Sequence, residues 1–297
     1  MNLVATVISA PGTTLDEPAL IRASAALPQA EAGVWLAPGI AADIAFTATG
    51  DARVFADHVR DALPKRNIDV VVQPARGRRK RLFLADMDST MIAQECIDEL
   101  ADFVGKKAEV AAITERAMRG EIAFVPAIKE RVALLKGLSE KVIDEVLASR
   151  ITLMPGGKTL IETMRTNGSF TCLVSGGFTQ FVQAIAGQIG FDETRANALI
   201  VERGKLAGTV ADPVFGREGK LATLVELRER LSLEAEETMA IGDGANDLDM
   251  IAAAGLGVAF HAKPAVAAAA AARIDHSDLT ALLYAQGYHQ EEFVERG

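Results

Sequence analysis

The run Leu82-Phe83-Leu84-Ala85 ends abruptly in Asp86-Met87-Asp88-Ser89-Thr90, and no other stretch restricts the fold as much. An apolar run of this length suits a buried strand. Side chains alternate along a strand, so Asp86 and Asp88 share a face while the chain stays extended. Two carboxylates cannot continue into a core without partners, so the strand must break there. Paired carboxylates at the carboxyl end of a strand serve a divalent metal, or a nucleophile with its proton donor. A solvated Asx turn is the plainer alternative, and the stretch alone does not choose between them.

Later strand ends tip the balance. Phe170–Val174 is an apolar strand running into Ser175-Gly176-Gly177-Phe178-Thr179, where backbone N–H groups and a hydroxyl at a helix start can hold an anion. Glu237–Ile241 is a strand ending in Gly242-Asp243-Gly244-Ala245-Asn246-Asp247, a second cluster of carboxylates on a glycine turn. Gly219-Lys220 opens a helix through Leu231; a lysine is poorly placed there for the helix dipole, which marks Lys220 as a candidate anion contact. Helices over Phe178–Ile189, Leu248–Ala254 and Ala265–Ala272, a strand at Gly257–Phe260 and a hairpin of Ala198–Val201 with Leu206–Thr209 complete this half. Strands alternating with helices imply a doubly wound parallel sheet, whose functional crevice lies at the strands' carboxyl ends. Three polar clusters fall on that one rim.

Between the aspartates and the next core strand the chain reads as helical from Ile92 to about Leu153. A first helix carries Ile97, Leu100, Ala101 and Val104. A second spans Lys106–Arg119, a third Val125–Lys136, and a fourth is capped by Ser139. Four helices inserted after a catalytic-looking loop suggest a cap that excludes water. Before Arg76 the order is β-α-β-β-α-β, a small ferredoxin-like unit. By element order alone it resembles ACT-type domains; it carries no ligand-binding motif, so a structural or dimerising module is as good a reading, and a homodimer stays open. The basic run Arg76-Gly77-Arg78-Arg79-Lys80-Arg81 is expected to be a solvated linker. His58 is expected on a helix surface and Trp35 in the small core. The division is 1–75, 76–92 (linker, first core strand and catalytic loop), 93–153 (cap) and 154–297 (α/β core).

A net charge of −9 argues against a general nucleic-acid binder. No apolar run reaches membrane-span length and no secretory signal is evident. Cys96 and Cys172 sit in apolar segments as expected buried thiols, and a cytoplasmic setting is the simplest reading.

With these motifs in this order, residues 82–290 resemble the haloacid dehalogenase superfamily of phosphatases. Glu95, Phe124 and Arg131 in the helical insert narrow the likeness to its branch acting on phosphoserine. The resemblance implies Mg²⁺-dependent hydrolysis of O-phospho-L-serine to L-serine and phosphate, the last step of serine synthesis. It implies Asp86 as nucleophile and metal ligand, and Asp88 as acid and base with its backbone carbonyl on the metal. Asp243 becomes a further metal ligand, with Asp247 an outer carboxylate supporting the metal site. Lys220, Ser175, Gly176 and Asn246 would contact the phosphate. Arg131 would hold the substrate carboxylate, Glu95 its ammonium, and Phe124 and Met118 an apolar wall. Two other readings stay open: a related phosphatase for another small phosphomonoester, and a phospho-acceptor switch. Asp88 argues against the switch, since only turnover needs a proton donor.

Overall fold

A computed structural model describes residues 1–63, 67–118 and 121–295, with the backbone alone at Met118. The N-terminal part runs β1 (Asn2–Ser9), α1 (Glu17–Ala25), β2 (Val34–Ala37), β3 (Ala41–Thr47), α2 (Ala52–Ala62) and β4 (Ile68–Pro74). Its strands form an antiparallel sheet in the order β2-β3-β1-β4, the ferredoxin-like arrangement expected from the sequence. Both helices start where aspartates cap them: Asp16 accepts the Ala19 N–H at 2.8 Å and Asp51 the Arg53 N–H at 2.9 Å. Leu3, Ala5 and Val7 of β1 pack on Leu20, Ala23 and Val59 of these helices. Ile8, on the opposite face, joins the core of the rest of the molecule with Leu36, Ala41 and Val71. The sheet is therefore covered on both sides. Trp35 packs partly buried in the small core, and His58 lies exposed on α2.

The chain then enters β5 (Leu82–Ala85) and the helices α3 (Cys96–Phe103), α4 (Lys107–Met118), α5 (Phe124–Ala133) and α6 (Lys141–Ser149). It continues through α7 (Gly157–Thr166), β6 (Phe170–Phe178), α8 (Thr179–Ile189), β7 (Glu193–Asn197), the hairpin β8 (Leu199–Glu202) and β9 (Lys205–Val210), and α9 (Arg217–Arg230). It closes with β10 (Thr238–Gly242), α10 (Leu248–Ala253), β11 (Leu256–Phe260), α11 (Pro264–Ala269), β12 (Ala272–Ile274) and α12 (Ala281–Ala285). Six strands form one parallel sheet in the order β12-β11-β10-β5-β6-β7. The near-continuous apolar sequences of β5, β10 and β11 follow from burial on both faces. The four helices after β5 leave and rejoin the sheet through a narrow neck. Ile92 bridges Leu153, the Ala93 N–H donates to the Thr152 carbonyl at 3.0 Å and the Met154 N–H to that of Met91 at 2.9 Å.

Several expectations are corrected. The run 76–81 is a solvated linker only in part: Arg76, Gly77, Arg79 and Arg81 are exposed, but Arg78 and Lys80 turn inward. The Arg78 guanidinium reaches Asp43 at 2.6 and 2.9 Å and the Ala285 carbonyl at 3.2 Å, and the Lys80 ammonium donates to the Gly77 and Glu236 carbonyls. The segment lies between two packed units, and buried carbonyls there need donors. Ser139 does not cap α6; it bridges Lys205 of the hairpin, and the cap position falls on Glu140 without a side-chain bond. Ser175-Gly176-Gly177 continues β6 in extended form, and α8 starts only at Thr179. The Ala-rich run splits into α11 and the edge strand β12. Cys96 and Cys172 are buried free thiols. Among the described residues no helix is long and apolar enough to cross a membrane.

Candidate active site

Three neighbouring strands deliver the site. Ala85 at the end of central β5 pairs with Ile241 of β10 on one side and Leu173 of β6 on the other. Asp86, Asp243 and Ser175 therefore emerge along one edge of the sheet. The Asp86 N–H still donates to the Ile241 carbonyl at 3.0 Å, so its side chain is fixed by a strand already pinned on both sides.

Lys220 comes from α9, one turn inside the helix, and is fully buried. Its ammonium contacts the Asp86 carboxylate directly and Asp247 Oδ1 at 2.6 Å. Burial works against the Lys220 charge, but Asp247 and Asp86 outweigh it and hold the ammonium above the usual lysine range. Burial, and then the Asp247 charge, push the Asp86 carboxyl well above the ordinary range against the pull of Lys220. The other Asp247 oxygen accepts the Gly244 N–H at 3.1 Å, so both its oxygens are engaged. Asp86, Asp243 and Asp247 each bring a carboxylate oxygen to within 4.8 Å of the other two. An all-oxygen set of this kind suits a hard divalent cation. Burial raises the Asp243 carboxyl, and the Lys263 ammonium 3.7 Å away partly offsets this.

Asp88 has different surroundings. Ser89 takes a left-handed φ of +56°, and the N–H groups of Thr90, Met91 and Ile92 fold back onto the Met87 carbonyl. The tight turn follows Asp88 directly, and its carboxylate takes partners of its own. Asp88 Oδ1 accepts the Cys96 N–H at 2.9 Å and Oδ2 the Ser175 hydroxyl at 3.1 Å. Burial raises its carboxyl, while these donors and Lys220 pull it back. Gly177 leaves the room: a Cβ there would lie 2.9 Å from Asp88 Oδ2.

The helical insert α3–α6 faces this edge. Phe124, the first residue of α5, rests its ring against two core glycines; a Cβ on Gly216 would lie 2.7 Å from it and one on Gly176 3.1 Å. Asn246 reaches the same spot, 3.9 Å from the Gly176 Cβ position. Glu95 Oε1 accepts the Ser89 hydroxyl at 2.8 Å. Water reaches Glu95, yet it lines a crevice crowded by protein atoms; that crowding and the Asp88 charge push its carboxyl up to about 7. Arg131 is half-buried and donates to the Ala127 carbonyl and to Thr114 Oγ1, both at 3.3 Å. Burial lowers its pKa, while Glu95, Asp98 and Asp88 raise it. Among the described residues no carboxylate stands within ion-pair distance of it. Hairpin β8–β9 braces this insert from the core side, through the Gly137 N–H to the Leu206 carbonyl and the Glu140 N–H to that of Gly204.

The structure thus gathers Asp86, Asp88, Ser175, Gly176, Lys220, Asp243, Asn246 and Asp247 at the sheet edge, with Glu95, Phe124 and Arg131 above. The Met118 side chain lies outside the described residues. The family model described as haloacid dehalogenase-like hydrolase matches residues 83–252. The chain belongs to the haloacid dehalogenase-like hydrolases. It is 41% identical over 230 residues to phosphoserine phosphatase SerB2 of Mycobacterium tuberculosis, covering 77% of this chain and 56% of the relative. It spans little more than half the length of that protein and of the Streptomyces coelicolor phosphoserine phosphatase. A haloacid dehalogenase family hydrolase from Salmonella enterica serovar Typhi superposes with a TM-score of 0.85 at 28% identity, covering 98% of this chain and 99% of that one. A phosphoserine phosphatase solved as an analogue of its phospho-aspartyl intermediate gives a TM-score of 0.65 at 38% identity, covering 69% of this chain and 98% of that one.

In this member of the haloacid dehalogenase-like hydrolases, sequence reasoning missed the Cys96 N–H on Asp88, the Ser89 hydroxyl on Glu95, and Lys263 beside Asp243. The first is a backbone group, invisible in side-chain patterns. Lys263 stands after β11, outside every motif that drew attention to the rim. Seating of the Phe124 ring on Gly216 carried no sequence signal either.

Proposed function

We propose that this chain hydrolyses O-phospho-L-serine to L-serine and phosphate through an aspartyl-phosphate on Asp86, with Mg²⁺ as cofactor. The observation that carries the reading is the pairing of opposites around one cleft. A buried lysine is clamped to the nucleophile candidate below, and a half-buried arginine with no carboxylate beside it among the described residues faces a glutamate above. Phosphoserine carries matching groups: a phosphate, a carboxylate and an ammonium.

Asp86 attacks phosphorus and the serine oxygen leaves, splitting one hard displacement into two easier ones. Asp88 gives that oxygen a proton; its raised carboxyl suits the role of acid. Asp88 then takes a proton from the water that opens the aspartyl-phosphate. Lys220, Ser175, the Gly176 N–H and Asn246 offset and orient the phosphate charge. Arg131 takes the substrate carboxylate, Glu95 the ammonium, and Phe124, with Met118, closes the apolar side. Asp86 and Asp243 would hold Mg²⁺ with the Asp88 backbone carbonyl, and Asp247, occupied by Lys220 and Gly244, supports them from outside. When bound, the ion supplies positive charge against the repulsion of carboxylate and phosphate.

The same proposal gives residues 1–75 as a separate N-terminal unit, 76–92 as linker and first core strand, 93–153 as the cap and 154–297 as the core. It makes the protein a cytoplasmic enzyme of serine synthesis, with a homodimer testable by light scattering. Phosphate release from O-phospho-L-serine is measured with and without Mg²⁺ beside a panel of sugar and alcohol phosphates. Release that requires Mg²⁺ and prefers phosphoserine supports the reading; equal turnover across the panel would refute the substrate assignment.

A further inference from the structure

The N-terminal sheet meets the parallel sheet edge to edge. Its outer strand β4 lies beside β12, yet no ladder of backbone bonds joins the two. Asp69 of β4 turns its carboxylate onto the loop after β12 instead. Oδ1 accepts the Asp275 N–H at 2.7 Å, and Oδ2 accepts the N–H groups of Ser277 at 2.8 Å and His276 at 3.2 Å. Asp69 is 2% exposed. A buried carboxylate answered by three backbone donors fixes a loop directionally, which apolar contact does not.

The bonds continue toward the active site. The Ser277 carbonyl lies 2.9 Å from His261 Nε2, and the His261 N–H donates to the Ile274 carbonyl at 2.8 Å. His261 holds a left-handed φ of +44° and stacks on Phe260 at 4.2 Å. A non-glycine residue keeps that backbone only where its surroundings enforce it. Two residues on, the Lys263 N–H donates to the Asp243 carbonyl at 3.2 Å, and its ammonium stands 3.7 Å from Asp243 Oδ2. Contacts thus run from the N-terminal sheet to a carboxylate of the acidic cluster Asp86, Asp243 and Asp247.

We propose that Asp69 is a positioning residue for Asp243: the N-terminal unit helps to set the metal rim of the catalytic unit through the 275–277 loop, His261 and Lys263. This rests on the reading of Asp243 as a Mg²⁺ ligand. Asp69→Asn keeps the shape but turns an amide donor toward a backbone N–H, leaving a buried donor without an acceptor. The loop loosens, His261 loses its brace, and the segment pinning Asp243 relaxes.

The test uses the full chain and reads Mn²⁺ binding by electron paramagnetic resonance without substrate, alongside thermal unfolding and the Mg²⁺ dependence of phosphoserine hydrolysis. Asp69→Asn is expected to weaken Mn²⁺ binding about tenfold, as for other supporting residues outside a metal's direct ligands, with kcat at saturating Mg²⁺ within about twofold. His261→Ala should shift it the same way, and the double variant should lose no more than the worse single one. A lower Tm with unchanged Mn²⁺ affinity in both variants, or a double loss equal to the sum, overturns the proposal. If Asp69→Asn does not fold, His261→Ala alone decides: weaker Mn²⁺ binding supports it and unchanged binding overturns it. Wild-type protein that binds no Mn²⁺, or Asp243→Asn that binds it equally well, defeats the metal reading and this proposal together. Wild type that binds while Asp69→Asn binds equally defeats the proposal alone.

Discussion

Asp86 and Asp88 stand two residues apart and are held by different kinds of group. Asp86 touches an ammonium; Asp88 touches an N–H and a hydroxyl. Lys220 offsets part of the charge on Asp86, while the Asp88 oxygens are held by neutral donors and, among the described residues, stay free of a direct ammonium contact. Asp88→Asn should therefore lower kcat by roughly 10²–10⁴-fold while the protein still binds phosphoserine, as rapid-quench kinetics and calorimetry would show. Glu95 gives a pH signature. Its carboxyl is pushed up to about 7, and only the anion attracts the substrate ammonium. Below that pH the group is protonated, so KM for phosphoserine should rise as pH falls from 7 toward 5 and stay flat above it. In Glu95→Gln the KM should be high throughout and lack this slope. The carboxylates and Lys220 were legible because a charge after an apolar run demands a reason. Their different surroundings were not, since donors such as the Cys96 N–H belong to the backbone of a residue whose side chain suggests only core.

At the scale of elements, the central strands were readable and the outer ones were not. β5, β10 and β11 are apolar throughout because both faces are covered. β7, Glu-Thr-Arg-Ala-Asn, is a half-exposed edge strand with no apolar pattern, and β12 is three residues hidden in an alanine run. Hairpin β8–β9 was readable from its Arg203-Gly204 turn, but not its bracing of the cap, which no local pattern encodes. The cap's contact with the core gives a steric prediction. Gly216 lies outside the left-handed region, at φ −143° and ψ −147°, and a Cβ added there would lie 2.7 Å from the Phe124 ring. Gly216→Ala should push the ring off its seat and raise KM severalfold, as steady-state kinetics would show. Gly216→Ala combined with Phe124→Leu should recover part of the loss if the clash is the cause.

For the molecule as a whole, the junction between the N-terminal sheet and the rest adds polar contacts to the apolar packing of Ile8 and Val71: Arg78 on Asp43, Lys80 on two carbonyls, Gln73 on the Ala285 carbonyl at 2.6 Å. Sequence reasoning read Arg76–Arg81 by its charge and placed it in water, which holds for Arg76, Arg79 and Arg81; nothing local says that Arg78 and Lys80 turn inward between two units. Burial lowers the Lys80 pKa to about 8, below the 10.5 of a free lysine. Between those values the unfolded chain binds a proton that the folded one does not, so stability gains a rising contribution from about pH 8 to 10.5. Urea unfolding of wild type and Lys80→Met across that window should show wild type gaining on the variant as pH increases; parallel curves would contradict it. The neck at Ile92 and Leu153 has a consequence of another sort. About sixty residues of helix leave and return through one two-stranded pinch, yet they touch the rest again at the Phe124 seat and at the β8–β9 hairpin. The same stretch carries the Cys96 N–H that holds Asp88, so exchanging it between those two residues would disturb a carboxylate of the sheet edge as well as the roof above it.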